Sequence, residues 1–208
     1  ELPAMAKEFG NAVCLARESG FDAVEIHAGH GYLISQFLSP YTNHRKDEFG
    51  GTLENRMRFM DMVMEEVMKA AGNDLAVLVK MNMRDGFKGG MELDETLQVA
   101  RRLKEDGAHA LVLSGGFVSK APMYVMRGAM PIKTMTHFLD DALLFQREVP
   151  GIPLVYVGGL VSRKKIEEVL SLGFPFVQVG RALLNTPDLV NRMKAEEDYC
   201  CDCGHSNF

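Results

Sequence analysis

Five short apolar runs in this chain each end in residues that could do chemistry. The first run, Ala23-Val24-Glu25-Ile26, is followed by His27, His30 and Tyr32. Two imidazoles and a phenol are hydrogen-bonding and proton-transfer groups. Histidines three apart can also chelate a metal, but no carboxylate or third histidine lies in an obvious supporting position. Two neutral imidazoles donating to one substrate oxygen fit equally well. Lys80 sits at the end of LAVLVKM. A lysine there is costly to bury unless paired, so it reads either as a fixed cation facing a developing anion or as a packed stem whose ammonium reaches water. The remaining runs exit into Ser114-Gly115-Gly116, Gly158-Gly159 and Gly180-Arg181. Glycines after a strand let a phosphate approach backbone amides, and a helix start adds favourable partial charge. Arg181 would add a charge-assisted bond. The alternative is that these are only tight turns. The tail carries Cys200-x-x-Cys203 and then His205, which opens a metal or iron–sulfur motif or is simply a cysteine-bearing end.

The elements that must position these residues repeat one pattern. A helix closes on Gly, and a short apolar strand follows within a few residues: Gly20 before AVEI, Gly107 before ALVL and Gly173 before FVQV. LAVLVKM and LVYV follow variant turns. Continuous rather than alternating apolar runs mark a parallel sheet covered on its faces. Helical patterns are expected over 5–19, 53–71 with Thr52 as N-cap, 94–105, 138–148 and 162–172, with a sixth opening at Pro187. Between His30 and the helix at Leu53 the pattern reads as a polar, Gly-containing loop. The longest loop, 115–136, has the character of a lid or binding loop.

One helix and five βα units follow from this order. Five units do not close an eight-unit barrel, which takes roughly 250 residues. Two architectures remain: a small doubly wound sheet, or the later part of a barrel lacking its first three units. In either, strand exits are where the site belongs.

The 208 residues are 47% hydrophobic and 25% charged, ordinary for a globular protein. A net charge of -5 argues against a nucleic-acid surface. No apolar run approaches the ~18 residues of a membrane span. The start lacks the features of a signal peptide, and the missing initiator Met suggests a processed or truncated chain. Cys14 reads as a small core residue, and nothing resembles a disulfide framework, so a reducing cytoplasmic setting is expected.

The segment GFDAVEIHAGHGYLISQFLSPYTNHRKDEFGGTLENRMRF, with LVKMNMRDGFKGG, ALVLSGG, VYVGGLVS and VQVGRALLNTPDLV, resembles the Old Yellow Enzyme family of FMN-dependent barrels, also called the NADH:flavin oxidoreductase family. The order matches strands 4 to 8 of that barrel. The resemblance implies a partial (β/α)8 barrel over 1–198 with a cysteine-bearing tail at 199–208. It implies hydride transfer from NAD(P)H through FMN to an activated alkene. His27 and His30 would bind the acceptor's carbonyl or nitro oxygen, and Tyr32 would protonate its carbon. Lys80 would lie at the flavin pyrimidine edge, where many members have arginine. Gly158, Gly159, Gly180 and Arg181 would hold the phosphate, with Gly116 also at the cofactor. Cys200 and Cys203 fall where larger members begin an iron–sulfur motif, though the usual spacing is incomplete. The implied partners are a small-molecule substrate and further copies of the chain through exposed sheet edges, with no nucleic acid or membrane. Without the first three units, weak FMN binding and slow or absent turnover are expected. The competing readings are another phosphate-binding barrel, such as an isomerase or aldolase, and a metal-binding assembly fragment.

Overall fold

A computed structural model of the chain describes residues 1–121 and 136–203. Most of the expected lid, and His205, lie outside the described residues. The elements run α1 (Leu2–Glu18), β1 (Ala23–Ala28), α2 (Leu33–Leu38), α3 (Leu53–Ala71), β2 (Ala76–Asn82), α4 (Leu93–Glu105), β3 (Ala110–Ser114), α5 (Thr136–Glu148), β4 (Leu154–Val157), α6 (Arg163–Ser171), β5 (Phe176–Gln178), α7 (Arg181–Asn185) and α8 (Leu189–Ala195).

The five strands form one parallel sheet in the order β1-β2-β3-β4-β5. That order decides between the two architectures. A doubly wound sheet reverses direction at a switch point, whereas here every crossover steps one strand onward, as in a barrel wall. The wall is curled. Gln178 Nε2 on β5 donates to Glu25 Oε2 on β1 at 2.8 Å, although these are the first and last strands of the sheet.

Alternate residues of each strand face the helices or the concave side. On the helix side Val77, Val79, Met81, Leu111, Leu113, Leu154 and Tyr156 are buried in the main core. Each such side chain contributes about 1.5–3 kcal/mol by leaving water. The concave side has its own small cluster of Ala110, Val112 and Val155, flanked by Leu78 and Val157. Phe176, at the start of β5, remains 58% exposed.

Helix α3 shows how the covering layer is specified. Thr52 accepts a hydrogen bond from the Asn55 amide and starts the helix. Phe59, Met60, Val63, Met64, Val67 and Ala71 then recur at helical spacing, and all are buried. Its neighbour α1 presents Ala6, Gly10 and Val13. A Cβ on Gly10 would stand 3.0 Å from the Glu66 carbonyl oxygen, so glycine permits the close approach. The segment between His30 and Leu53 contains α2, a six-residue helix absent from the sequence-based expectation, which burial of Ile34 and Leu38 docks onto the core. Arg56 of α3, 3% exposed, donates to the Leu38 carbonyl and pairs with Glu95, which anchors the end of α2.

Among the described residues, no helix is long and apolar enough to cross a membrane.

Candidate active site at the strand exits

Strand register brings the chemistry together. His27 pairs with Lys80, and Asn82 pairs with Ser114, so the exits of β1, β2 and β3 are level. His30 lies just beyond β1 with φ 60, a left-handed backbone that costs most side chains about 1–2 kcal/mol. Asn82 holds that turn by accepting from the His30 amide at 2.9 Å. The Asn82 amide nitrogen donates to Asp85 and to the Gly116 carbonyl, both at 2.9 Å. Buried Asp85 also accepts from Ser39 at 2.7 Å and from the Met91 amide at 2.9 Å. Phe117 closes the arrangement by bridging to His30, and a Cβ on Gly31 would stand only 2.4 Å from its ring.

The two imidazole rings meet edge-on with centroids 5.0 Å apart, and the Tyr32 ring stands 5.1 Å from His27. His27 Nδ1 accepts from the Gly29 amide at 3.2 Å, so in the neutral ring the proton is on Nε2. His30 Nε2 lies 2.7 Å from the Ser114 hydroxyl. Burial lowers the His30 pKa to about 4, assisted by His27 and Lys80. Burial also lowers that of His27, with Lys80 adding to the effect and Glu25 opposing it. Both rings are therefore neutral donors near pH 7. Tyr32 is 52% exposed at the rim.

Lys80 is half-buried, and burial depresses its pKa while Glu25 opposes the shift. Its Nζ donates to Gln178 Oε1 at 2.7 Å, and Gln178 in turn donates to Glu25. A cavity of about 400 Å³ opens here, lined by His30, Lys80, Ser114, Gly158, Gly159, Gly180 and Arg181, among others. Its size is within the range of small-ligand sites.

Most of the residues singled out in the sequence thus share one rim. His27, Tyr32 and Gly116 are not among those lining the cavity: His27 packs against His30 and Tyr32 against His27, while the Gly116 carbonyl ties the loop to Asn82. Cys200 and Cys203 are elsewhere. Cys200 bridges Ser162, the Cys201 amide donates to the Val161 carbonyl at 2.8 Å, and Cys201 and Cys203 pack with Ala182, Leu189 and Met193. Among the described residues no group of three His, Cys, Asp or Glu could hold a metal. The sequence-based reading missed Ser114, Asn82, Glu25 and Gln178 as members of the site. The available signal was their period-two spacing: Glu25 with His27, and Lys80 with Asn82, share a sheet face.

The model of the NADH:flavin oxidoreductase / NADH oxidase family matches residues 1–198. The chain belongs to that family. It is 35% identical over 234 aligned positions to a 4,4'-dithiodibutanoate disulfide reductase of Rhodococcus erythropolis, covering 98% of this chain and 58% of the relative. It is 34% identical over 182 positions to an NADPH dehydrogenase of Bacillus subtilis, covering 87% of this chain and 51% of the relative. The structure of an old yellow enzyme homologue from Zymomonas mobilis superimposes with a TM-score of 0.75 at 27% identity, covering 97% of this chain and 54% of that one. The chain therefore spans little more than half the length of these relatives, and its sheet is a partial barrel. The flavin oxidoreductase family supplies FMN as the cofactor, and the residues present suit its phosphate. Gly158 and Gly159 have φ of 125 and 67, backbone that side chains rarely adopt, and a Cβ on Gly180 would meet nothing within 4 Å, so glycine keeps this end of the cavity free of side-chain bulk. Helix α7 after Gly180 has only five residues, so its dipole contributes less than the sequence pattern suggested.

Proposed function

We propose that this chain is the acceptor- and phosphate-binding part of an FMN-dependent oxidoreductase that reduces activated alkenes with NAD(P)H. The observation that supports this reading most directly is His30, a neutral imidazole, on one cavity with a lysine and glycine turns, with the His27 ring 5.0 Å from it. FMN, when bound, supplies the hydride it has taken from the nicotinamide cofactor. The chain's own residues do the rest. His27, with its proton on Nε2, and His30 donate to the acceptor's carbonyl or nitro oxygen. Both start uncharged, so their hydrogen bonds strengthen as negative charge develops on that oxygen. Tyr32, exposed beside His27, gives its phenolic proton to the α-carbon. Gly158, Gly159, Gly180 and Arg181 hold the phosphate, and the Lys80 ammonium faces negative charge at the pyrimidine edge.

The test is reduction of a cyclic enone by NADPH or NADH in the longest polypeptide containing this segment. Replacing His27 or His30 by Ala is expected to lower kcat by about 10²–10³. Full activity in both variants would overturn the assignment. For the 208-residue chain alone we expect weak FMN binding in an equilibrium titration, and tight stoichiometric binding would contradict this. The four free cysteines suit a reducing cytoplasm.

A further inference from the structure

Asn82 stands where the first three strand exits meet. Its side chain is buried and lies outside the cavity lining, yet it binds a loop from each exit. Oδ1 accepts from the His30 amide after β1, and Nδ2 donates to Asp85 after β2 and to the Gly116 carbonyl after β3. These partners fix the orientation of the amide, because a backbone N–H faces one end while a carboxylate and a carbonyl face the other. Only a primary carboxamide offers an acceptor and two N–H donors on one small planar group, and glutamine would carry it one methylene further out. The surroundings are built around this group. A Cβ on Gly29 would stand 2.8 Å from Asn82 Oδ1, and one on Gly90 would stand 2.6 Å from the Asp85 Cβ. Asp85 is itself fixed by the Ser39 hydroxyl and the Met91 amide.

His30 needs such a partner. Among the described residues it is the one non-glycine residue with positive φ. A strained backbone of this kind persists only where its surroundings over-determine it. Asn82 holds the His30 amide, and the Val118 amide donates to the His30 carbonyl at 3.0 Å. The turn so held puts the ring with Nε2 2.7 Å from the Ser114 hydroxyl and its centroid 5.0 Å from that of His27. We propose that Asn82 is a positioning residue for acceptor reduction: its carboxamide keeps the His30 turn left-handed and so aims the imidazole at the acceptor oxygen. The catalytic half of this rests on the role given to His30 under the flavin reading, whereas the hold of Asn82 on the ring does not.

Two measurements separate the placement of His30 from its use. The first needs no cofactor and follows the imidazole NMR resonances of the 208-residue chain in wild type, Asn82→Ala and Asn82→Asp. In Asn82→Ala the His30 ring is expected to leave its buried place and titrate towards the ordinary 6.5 rather than at about 4. His109, which precedes β3 at the end opposite Ser114 and accepts from the Val77 amide, is the internal control and is expected to keep its resonances. A His30 ring that stays in place, or equal movement of His109, in both variants would overturn the proposal.

The second measurement is enone reduction from pH 5.5 to 8 in the longest polypeptide containing this segment. Asn82→Ala is expected to lower kcat about 10²-fold throughout, the usual cost of misplacing a reacting group by about 1 Å. Asn82→Asp keeps the acceptor and, when protonated, regains one donor. Two carboxyls side by side hold a proton to higher pH than one alone. Its kcat relative to wild type is therefore expected to rise at least about fivefold as pH falls from 8 to 5.5, a recovery that loss of packing alone would not produce. Wild-type kcat in both variants, with a slow His30→Ala, would overturn the proposal. A fully active His30→Ala would sink the acceptor role of His30 and with it the catalytic half, and the ring titration would then decide whether Asn82 places that ring.

Discussion

At the scale of single residues, His30 combines two constraints that pull on its chemistry. Its backbone is left-handed, a conformation that Asn, Asp and His accept more readily than other non-glycine residues. His30→Asn is therefore expected to cost about 1 kcal/mol less stability than His30→Ala, measured by urea unfolding at neutral pH. Its ring is buried, and the folded pKa of about 4 lies below the ordinary 6.5. The unfolded chain then binds more protons between those values, so this group makes stability rise with pH across that window. The full contribution is present above 6.5 and is lost as the ring charges on descent through about 4. It is at most about 3 kcal/mol, with His27 acting in the same direction. A comparison of wild type and His30→Asn from pH 7 to 4 isolates it, and parallel curves would refute it. His27, His30, Tyr32 and Lys80 were legible in the sequence because each stands at the end of an apolar run. Gln178 was not, and Ser114 was read only as part of a strand exit, because the importance of both comes from partners far away in sequence: Lys80 for one and His30 for the other.

At the scale of elements, the five strands and the long helices were readable from apolar runs, helix-closing glycines and caps. Thr52 and Ser162 cap α3 and α6 as their side chains suggest, accepting from Asn55 and Lys165. Helices α2 and α7 were not readable. At six and five residues they are too short to show a periodic face, and tertiary burial rather than propensity holds α2. The end of α4 contains a less favourable choice. Asp106 is its C-cap, where the helix dipole disfavours an acid. Burial and the nearby Asp61 carboxylate raise its pKa to about 6 despite Arg102. Its ionised form is thus penalised in the folded protein above pH 6, and the penalty fades as pH falls from 6 towards 3.8. Asp106→Asn is expected to stabilise by about 1 kcal/mol at pH 7 and by progressively less at lower pH. Thermal melts at pH 7.5 and 4.5 would show it, and an equal effect at both values would exclude the electrostatic origin.

At the scale of the whole molecule, β1 and β5 each have one hydrogen-bonded neighbour in the sheet, and the concave face leaves Phe176 largely in water. Unpaired edges beside exposed apolar surface favour pairing with another chain. We expect concentration-dependent association in sedimentation velocity, reduced by Phe176→Ser, whereas a concentration-independent monomer would contradict it. The strand sequence was visible in the primary structure; the local alternation of strand and helix left two sheet architectures open, and it was the family motifs at the strand exits that pointed to the partial barrel, which the strand order bears out. The contact between Gln178 and Glu25 has a mechanical consequence. The amide that grips the Lys80 amine also spans the arc from its first strand to its last. Anything that engages that amine must therefore tug on a strut, and spin labels placed on the two outer strands should register the change as a widening or narrowing of the aperture.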